Sequence, residues 1–365
     1  MEGNTANWLE MWGEKQVQYY LSKNRPSHKN VSYLQATRIS WLVSFLIGFL
    51  LTGALITIEI YYFPSMHDSK ENLAGLGIYF LANILLVGLE FYMLFKVGFR
   101  CVAFYIYKST LDLQQGELKL SLSRAILEIP EPGMNRYGLD PYKYRHKSHY
   151  VVLILYKLKA FATTFLAKVL VRKLLARSGF RVYSAFVAAP VTGFWDAWVM
   201  GVTLREARIR ISGRLYVISV LKYLDDRDAI TNELKCFMVR LVAVRLVMFG
   251  EYNINLDYFI TMLDESTNSP IELIEDVSSV EELKNRFSRL NDQEKDIGRR
   301  VASILLAFKR KKLSIHEKRL MKDLSISDFS FFQARKSLDE FSIQSIENVN
   351  GQMIKEKNLV ICDQV

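Results

Sequence analysis

The chain has 365 residues, half of them apolar, and a formal net charge of +10. The apolar residues are concentrated in long runs, which is typical of a protein solvated by a bilayer, because a helix needs about 20 residues to cross the ~30 Å apolar core. The three cysteines include no CxxC pair, which argues against a disulfide framework or a thiolate metal site. The five histidines form no HExxH motif. We therefore expect no metal ion and no cofactor.

Residues 1–38 are polar and mixed in charge. A secretory signal begins with a basic stretch followed at once by an apolar core, so we expect no cleaved signal here. We predict that 1–38 form a cytoplasmic arm, and that the first apolar run acts as an uncleaved signal-anchor.

Two charge-poor runs predict a transmembrane helical hairpin over residues 39–99. The first run, 39–58, contains no charged residue, and the second run, 72–95, contains Glu90 as its only charged residue. Each is long enough to cross the apolar core of a bilayer as a helix.

The distribution of Lys and Arg predicts the orientation of this hairpin. The linker 59–71 has one lysine against three acids, whereas 1–38 contain five Lys/Arg and 96–149 contain nine. Because cytoplasmic loops carry the excess of Lys and Arg, both flanks of the hairpin, and the two ends of the chain, are predicted to lie in the cytoplasm.

A second apolar hairpin is predicted over residues 150–204, and its depth stays open. If both of its halves cross, the protein has four spans, and a basic linker lies outside. If 150–175 instead lie in the interface as an amphipathic helix, with lysines reaching the headgroups, then 182–204 enter the membrane and return. Asp196 is the only charge in 182–204.

Basic side chains flank this second hairpin on both sides. The preceding cytoplasmic linker, 100–149, ends in an aromatic and basic stretch, and REARIR follows the hairpin at 205–210. Such clusters next to a membrane segment favour contact with anionic lipid headgroups. The candidate headgroup contacts are Lys143, Arg145, Lys147, Arg205, Arg208 and Arg210.

Residues 215–365 are predicted to form a cytoplasmic helical domain, so the fold class is an all-α integral membrane protein. Ser314 with Glu317 fits the S-x-x-E capping box of a helix start. Residues 243–263 align without a gap over 304–324, which predicts two helix-turn-helix units packed on each other.

An apolar helix, a turn and the sequence LSIHE at 313–317 resemble the TerB-like helical module of tellurite-resistance proteins. That family's turn usually carries acidic residues able to hold a cation, whereas this turn is basic (KRKKLSI), so no metal site is carried over. The segment APVTGFWDAWV followed by REARIR is similar to a signature of uncharacterised bacterial multi-pass membrane proteins. That resemblance implies a bacterial cell inner membrane and no known activity.

Acids at membrane depth are the candidate functional residues. An ionised carboxylate in lipid is costly unless it is paired, so such residues mark either a structural pair or an ion path. The candidate intramembrane polar residues are Glu90, Asp196, Glu59 and Asn83.

We find no phosphate-binding loop, no GxGxxG motif and no GxSxG elbow, so an enzyme is not expected. The leading hypothesis is a non-catalytic membrane-tethered protein whose helical domain binds a protein partner or senses the state of the envelope. The alternative is an oligomeric ion channel or transporter that uses the intramembrane acids. The basic run 308–319 is interpreted as a charged helix end, and nucleic acid is not an expected partner.

Overall fold

The computed structural model describes residues 8–23, 31–62, 73–109, 116–127, 137, 139, 181–225, 231–247, 253–265, 279–308, 313–327, 331–332 and 335. These residues fold into helices, with no strand among them. The prediction of an all-helical protein is confirmed for this part of the chain. The segment 150–175 and the residues Lys143, Arg145 and Lys147 lie outside it.

Ten helices are described, in the order α1 (Trp8–Lys23), α2 (Tyr33–Tyr62), α3 (Leu73–Ser109), α4 (Gly116–Ile126), α5 (Arg181–Asp225), α6 (Asn232–Val247), α7 (Ile254–Glu265), α8 (Val280–Arg289), α9 (Asp292–Ala307) and α10 (Ile315–Asp323). Two of them are long and apolar enough to cross a membrane, judged by length and composition: α2 over Tyr33–Ile58 and α3 over Leu81–Ser109. Only 22% and 11% of the residues in their most apolar stretches are buried.

Helix α3 continues well past position 95, where the sequence suggested that the second span ends. The residues around Lys96 and Arg100 remain helical, and the helix runs on to Ser109. Its last turns are apolar, and Phe99, Val102 and Tyr105 are buried in a cluster with α1, α4 and α5. Isolated charges on the outer side of a helix do not end it, because their long side chains extend along its surface.

Helix α1 is packed on this cluster. The Trp12 ring makes an edge contact with Phe99 at a centroid distance of 5.5 Å. Glu10 accepts a charge-assisted hydrogen bond from Arg124 Nε of α4 at 3.2 Å, and both side chains are nearly buried. The predicted N-terminal arm is therefore docked against α3 and α4 over its described residues.

Helices α2 and α5 run antiparallel in close contact. Gly201 of α5 lies against the Trp41 ring, whereas Gly193 lies against the backbone of Phe45 and close to Gly48. A Cβ atom at Gly193 would come within 2.7 Å of the Phe45 carbonyl oxygen, so only glycine permits this spacing. Small residues recur at every fourth position on both helices, as in membrane helix pairs that approach closely. They are Ala36, Ser40, Ser44, Gly48 and Thr52 on α2, and Ala189, Gly193, Ala197 and Gly201 on α5.

Helix α5 is a single element of 45 residues. At 1.5 Å per residue it is about 67 Å long. It contains no reversal within 182–204, so the alternative in which this segment enters the membrane and returns is wrong. It also continues unbroken through positions 204 and 215, where the sequence suggested the hairpin ends and the domain begins.

The second half of α5 joins the core of the C-terminal domain. Tyr216, Val220 and Leu224 belong to the same buried cluster as the central helix α6. Nearly all of α6 is buried, which explains why its sequence is apolar on most sides. Around it pack α7, α8 and α9.

The four helices of the two predicted helix-turn-helix units are described as α6, α7, α9 and α10, and α6 packs on α9. Their equivalent positions Leu263 and Leu324 are both buried. The pattern fails at the first residue of the second helix, because Ile254 is buried whereas Ile315 is 76% exposed.

The predicted capping box at Ser314 is present, and its Glu317 also contacts the central helix α6. Glu317 Oε2 accepts from the Ser314 backbone N–H at 2.7 Å, and Glu317 Oε1 accepts from Arg245 Nη1 at 3.0 Å. The ion pair is fully buried. Removing one partner of such a pair would leave an uncompensated buried charge, so we expect the loss of either side chain to destabilise the contact between α10 and α6 strongly.

We expect Gly193→Ala to lower the free energy of unfolding by about 1–3 kcal/mol, because overpacking forces α2 and α5 apart. The measurement is the unfolding midpoint of the detergent-solubilised chain. Gly53→Ala is the matched control, since no atom lies within 4 Å of the added Cβ. A control that is as destabilised as Gly193→Ala would contradict the close α2–α5 contact.

Candidate functional site

Two acids lie on the inner faces of the apolar helices. Glu90 on α3 and Asp196 on α5 are each 3% exposed. Asp196 packs directly over Gly48, where the Cβ of any other residue would collide with its carboxylate. Glu90 lies about two turns before Gly98, which meets Met200 of α5, and Asp196 lies about one turn before Met200. The structure thus brings both predicted acids to the helix layer formed by α2, α3 and α5.

Hydroxyl groups accompany the acids in this layer. Ser44 and Thr52 of α2 are buried, as is Thr192 of α5. Thr192 Oγ1 donates to the Ala188 carbonyl at 3.0 Å, the usual way in which a threonine satisfies its hydroxyl inside an apolar helix. The inner side of the layer is therefore the polar side.

The other two predicted polar residues are placed less centrally. Asn83 lies on α3, seven residues before Glu90 and on a similar face, and is half-buried. Glu59 belongs to α2, but its side chain lies outside the described part of the structure.

A cavity of about 150 Å³ lies between the first turns of α2, the last turns of α3 and the middle of α5. Apart from Gly201 and Leu204, its lining comprises hydroxyl-bearing, aromatic and basic side chains from all three helices: Tyr33, Thr37, Trp41, Tyr105, Arg205 and Arg208. No carboxylate is among them.

Two stacked tyrosines, one from α2 and one from α3, line this cavity. The Tyr33 and Tyr105 rings are stacked, with centroids 4.1 Å apart. Thr37 Oγ1 donates to the Tyr33 carbonyl at 3.0 Å and lies 2.8 Å from the Tyr105 hydroxyl. Since the single threonine proton is used on the carbonyl, the Tyr105 hydroxyl donates to Thr37.

The three predicted arginines on α5 have different surroundings. Arg205 is exposed at the mouth of the cavity, and the guanidinium carbon of Arg208 lies 5.7 Å from the Tyr33 ring centroid. Arg210 points to α4 instead, where its Nη1 donates to the Ser121 carbonyl at 2.6 Å and its Nε to Glu206 at 3.4 Å. Two of the three arginines are thus brought together at one cavity.

Sequence reasoning missed the residues that build this cavity around the arginines. Tyr33, Thr37 and Tyr105 were not singled out, because their meeting depends on how three helices pack. One signal was available in the sequence: small residues at every fourth position of α2 and α5, the spacing of closely packed membrane helices. Within the described ranges, no group of three or more His, Cys, Asp or Glu side chains is arranged to hold a metal ion.

The chain was compared with protein-family models, with curated proteins and with solved structures. No family model matches it, no curated protein matches it, and no solved structure matches it.

Proposed function

We propose that this protein is a non-catalytic, multi-pass protein of a bacterial inner membrane whose cytoplasmic helical domain binds a protein partner. What supports the membrane placement is the polarity of the helix faces. The outer faces of α2 and α3 are apolar and exposed, as at Leu42, Leu50 and Leu85, whereas the inner faces carry serine, threonine and glutamate. A protein folded in water has the opposite arrangement.

The first half of α5 is proposed to be a further span beside α2 and α3. It exposes Val191, Phe194 and Trp198 outward and buries Thr192 and Asp196 inward, as its neighbours do. Because α5 is antiparallel to α2, its basic end at 205–210 lies at the same end as the basic N-terminal flank of α2. This placement agrees with a cytoplasmic side rich in Lys and Arg. With both chain ends in the cytoplasm the number of crossings is even, and the apolar run 150–175, which lies outside the described residues, is the candidate from sequence for the fourth.

One observation supports the proposed role: α5 runs without a break from the helix layer of α2, α3 and α5 into the helical domain. Its Gly213 fits under the side chain of Asn255, whose Nδ2 donates to the Ile209 carbonyl at 3.3 Å. The next residue, Arg214, is buried with its guanidinium carbon 3.5 Å from the Tyr258 ring centroid. The domain is therefore joined to the helix layer by one continuous helix, and this arrangement supports the proposal of a tether or a sensor of the envelope.

The partner is proposed to dock at the start of α10. Ile315 is 76% exposed there, although the equivalent Ile254 of the other helix-turn-helix unit is buried. Neighbouring His316, Lys318 and Arg319 are also exposed, so an apolar side chain is surrounded by basic ones. Such a surface suits a partner with an apolar contact and an acidic rim.

The topology is tested with one cysteine introduced at a time, as Met66→Cys, Ala176→Cys or Ile230→Cys, after Cys236 and Cys362 are replaced by serine and with the buried Cys101 left in place. In intact cells we expect a membrane-impermeant maleimide to label positions 66 and 176, and to label 230 only after permeabilisation. Labelling of 176 only after permeabilisation would contradict a full crossing by α5.

Partner binding is tested in native membranes with a photo-crosslinking amino acid at His316 of the full chain. We expect a discrete cross-linked species that is lost when Ile315→Asp is added, because the apolar contact is removed. Asp in the first turn suits the positive end of the helix dipole, so the fold is kept. Cross-linking at the exposed Gln293 is the control. An unchanged species in the Ile315→Asp variant would contradict the docking surface.

The second candidate function is an oligomeric ion or proton channel, which the burial of Glu90 and Asp196 in the helix layer favours. In that case Glu90→Gln should reduce flux into proteoliposomes at least tenfold, since a neutral amide cannot exchange the proton or the ion. Glu281→Gln, on the exposed side of α8, is the control. Equal flux in the Glu90→Gln and unmodified proteins would exclude this function.

A further inference from the structure

The cavity between α2, α3 and α5 has a charge that its described surroundings do not balance. Arg205 and Arg208 are three residues apart, so they lie on one face of α5. Within the described ranges, Arg205 forms no ion pair, and no acceptor lies within hydrogen-bonding distance of the buried Arg208 Nε. Two guanidinium groups beside a cavity without carboxylates favour an anion with several acceptor oxygens, and phosphate fits this requirement by accepting paired hydrogen bonds.

One neutral donor in the same cavity matches this chemistry. The Tyr33 hydroxyl lies beside Arg208, and it lines the cavity together with Tyr105, whose own proton is used on Thr37. The Tyr33 ring is stacked on the Tyr105 ring, and Tyr105 is held by Thr37, so little ordering is needed when a ligand enters. Arg210 does not compete for the same ligand, because its guanidinium is held by Ser121 and Glu206.

Apolar side chains continue from the cavity along the outer face of the helices. Trp41 is 48% exposed and forms one wall, held there because Gly201 leaves room for its ring. Trp198 is 60% exposed and lies on the same face of α5 as Gly201 and Arg205, about two turns from Arg205. A ligand with a phosphate at the arginines therefore has an apolar surface on which its other end can lie.

We propose that this cavity binds the phosphate of an anionic phospholipid through Arg205 and Arg208, with the acyl chains along Trp41 and Trp198. This inference rests on the proposed membrane placement. Lipid bound here would contact α2 and α5 at once and so would stabilise the element that carries the helical domain. A free phosphate anion would satisfy the arginines but would leave the apolar surface uncovered.

The test uses the full chain in neutral detergent, titrated with phosphatidylglycerol or phosphatidylcholine carrying brominated acyl chains, with tryptophan quenching as the readout. We expect saturable quenching by phosphatidylglycerol at lower concentration than by phosphatidylcholine. Arg205→Gln with Arg208→Gln should raise the half-saturating concentration of phosphatidylglycerol about tenfold or more, as expected when charged hydrogen bonds are lost. Arg205 is exposed, so Arg205→Gln alone gives a partial loss without a folding defect.

The matched control is Arg38→Gln with Arg100→Gln, which removes two exposed cations from α2 and α3 outside the cavity. We expect less than a twofold change in this control. Equal losses in the two double variants would overturn the site and leave the membrane placement intact, since the cysteine labelling tests that placement separately. Inorganic phosphate that binds to the full chain as tightly as phosphatidylglycerol, measured by calorimetry, would overturn the lipid assignment.

Discussion

The close approach of α2 to α5 is the contact on which the rest of the arrangement depends. In the lipid setting that we propose, apolar side chains gain nothing by leaving their solvent, so helices associate through van der Waals packing and need small residues at the contact. Gly48, Gly193 and Gly201 supply that space. A group of the facing helix occupies the space beside each of them: Asp196 beside Gly48, the Phe45 backbone beside Gly193 and the Trp41 ring beside Gly201. A larger residue at any of them would separate the two helices.

This contact positions the functional features because they share one element. Helix α5 carries Asp196 in the helix layer, Arg205 and Arg208 at the boundary cavity, and Gly213 at the joint with α7. A rotation or shift of α5 against α2 would therefore change the cavity and the position of the helical domain together. The proposed lipid site and the proposed tether are two consequences of the same packing.

Much of the helix content could be predicted from the sequence because its signals are local. A charge-free run of 20 residues, the capping box at Ser314 and the buried pattern at Leu263 and Leu324 each depend on a few neighbouring residues. The end of α3 was not predictable in the same way. Lys96 and Arg100 suggested a boundary, yet Lys96 extends over the Tyr92 ring, 4.6 Å from its centroid, and the helix continues into a buried cluster.

The sequence alone determined which segments are apolar, where single acids interrupt them, and that basic residues collect beside them, because composition and charge are properties of short stretches of chain. Only the tertiary structure decided that α5 runs unbroken from the helix layer into the domain, and that Tyr33, Tyr105 and Arg208 meet at one cavity. These contacts are between residues far apart in sequence. They depend on the distance between helices, which individual glycines allow to be short because they have no side chain.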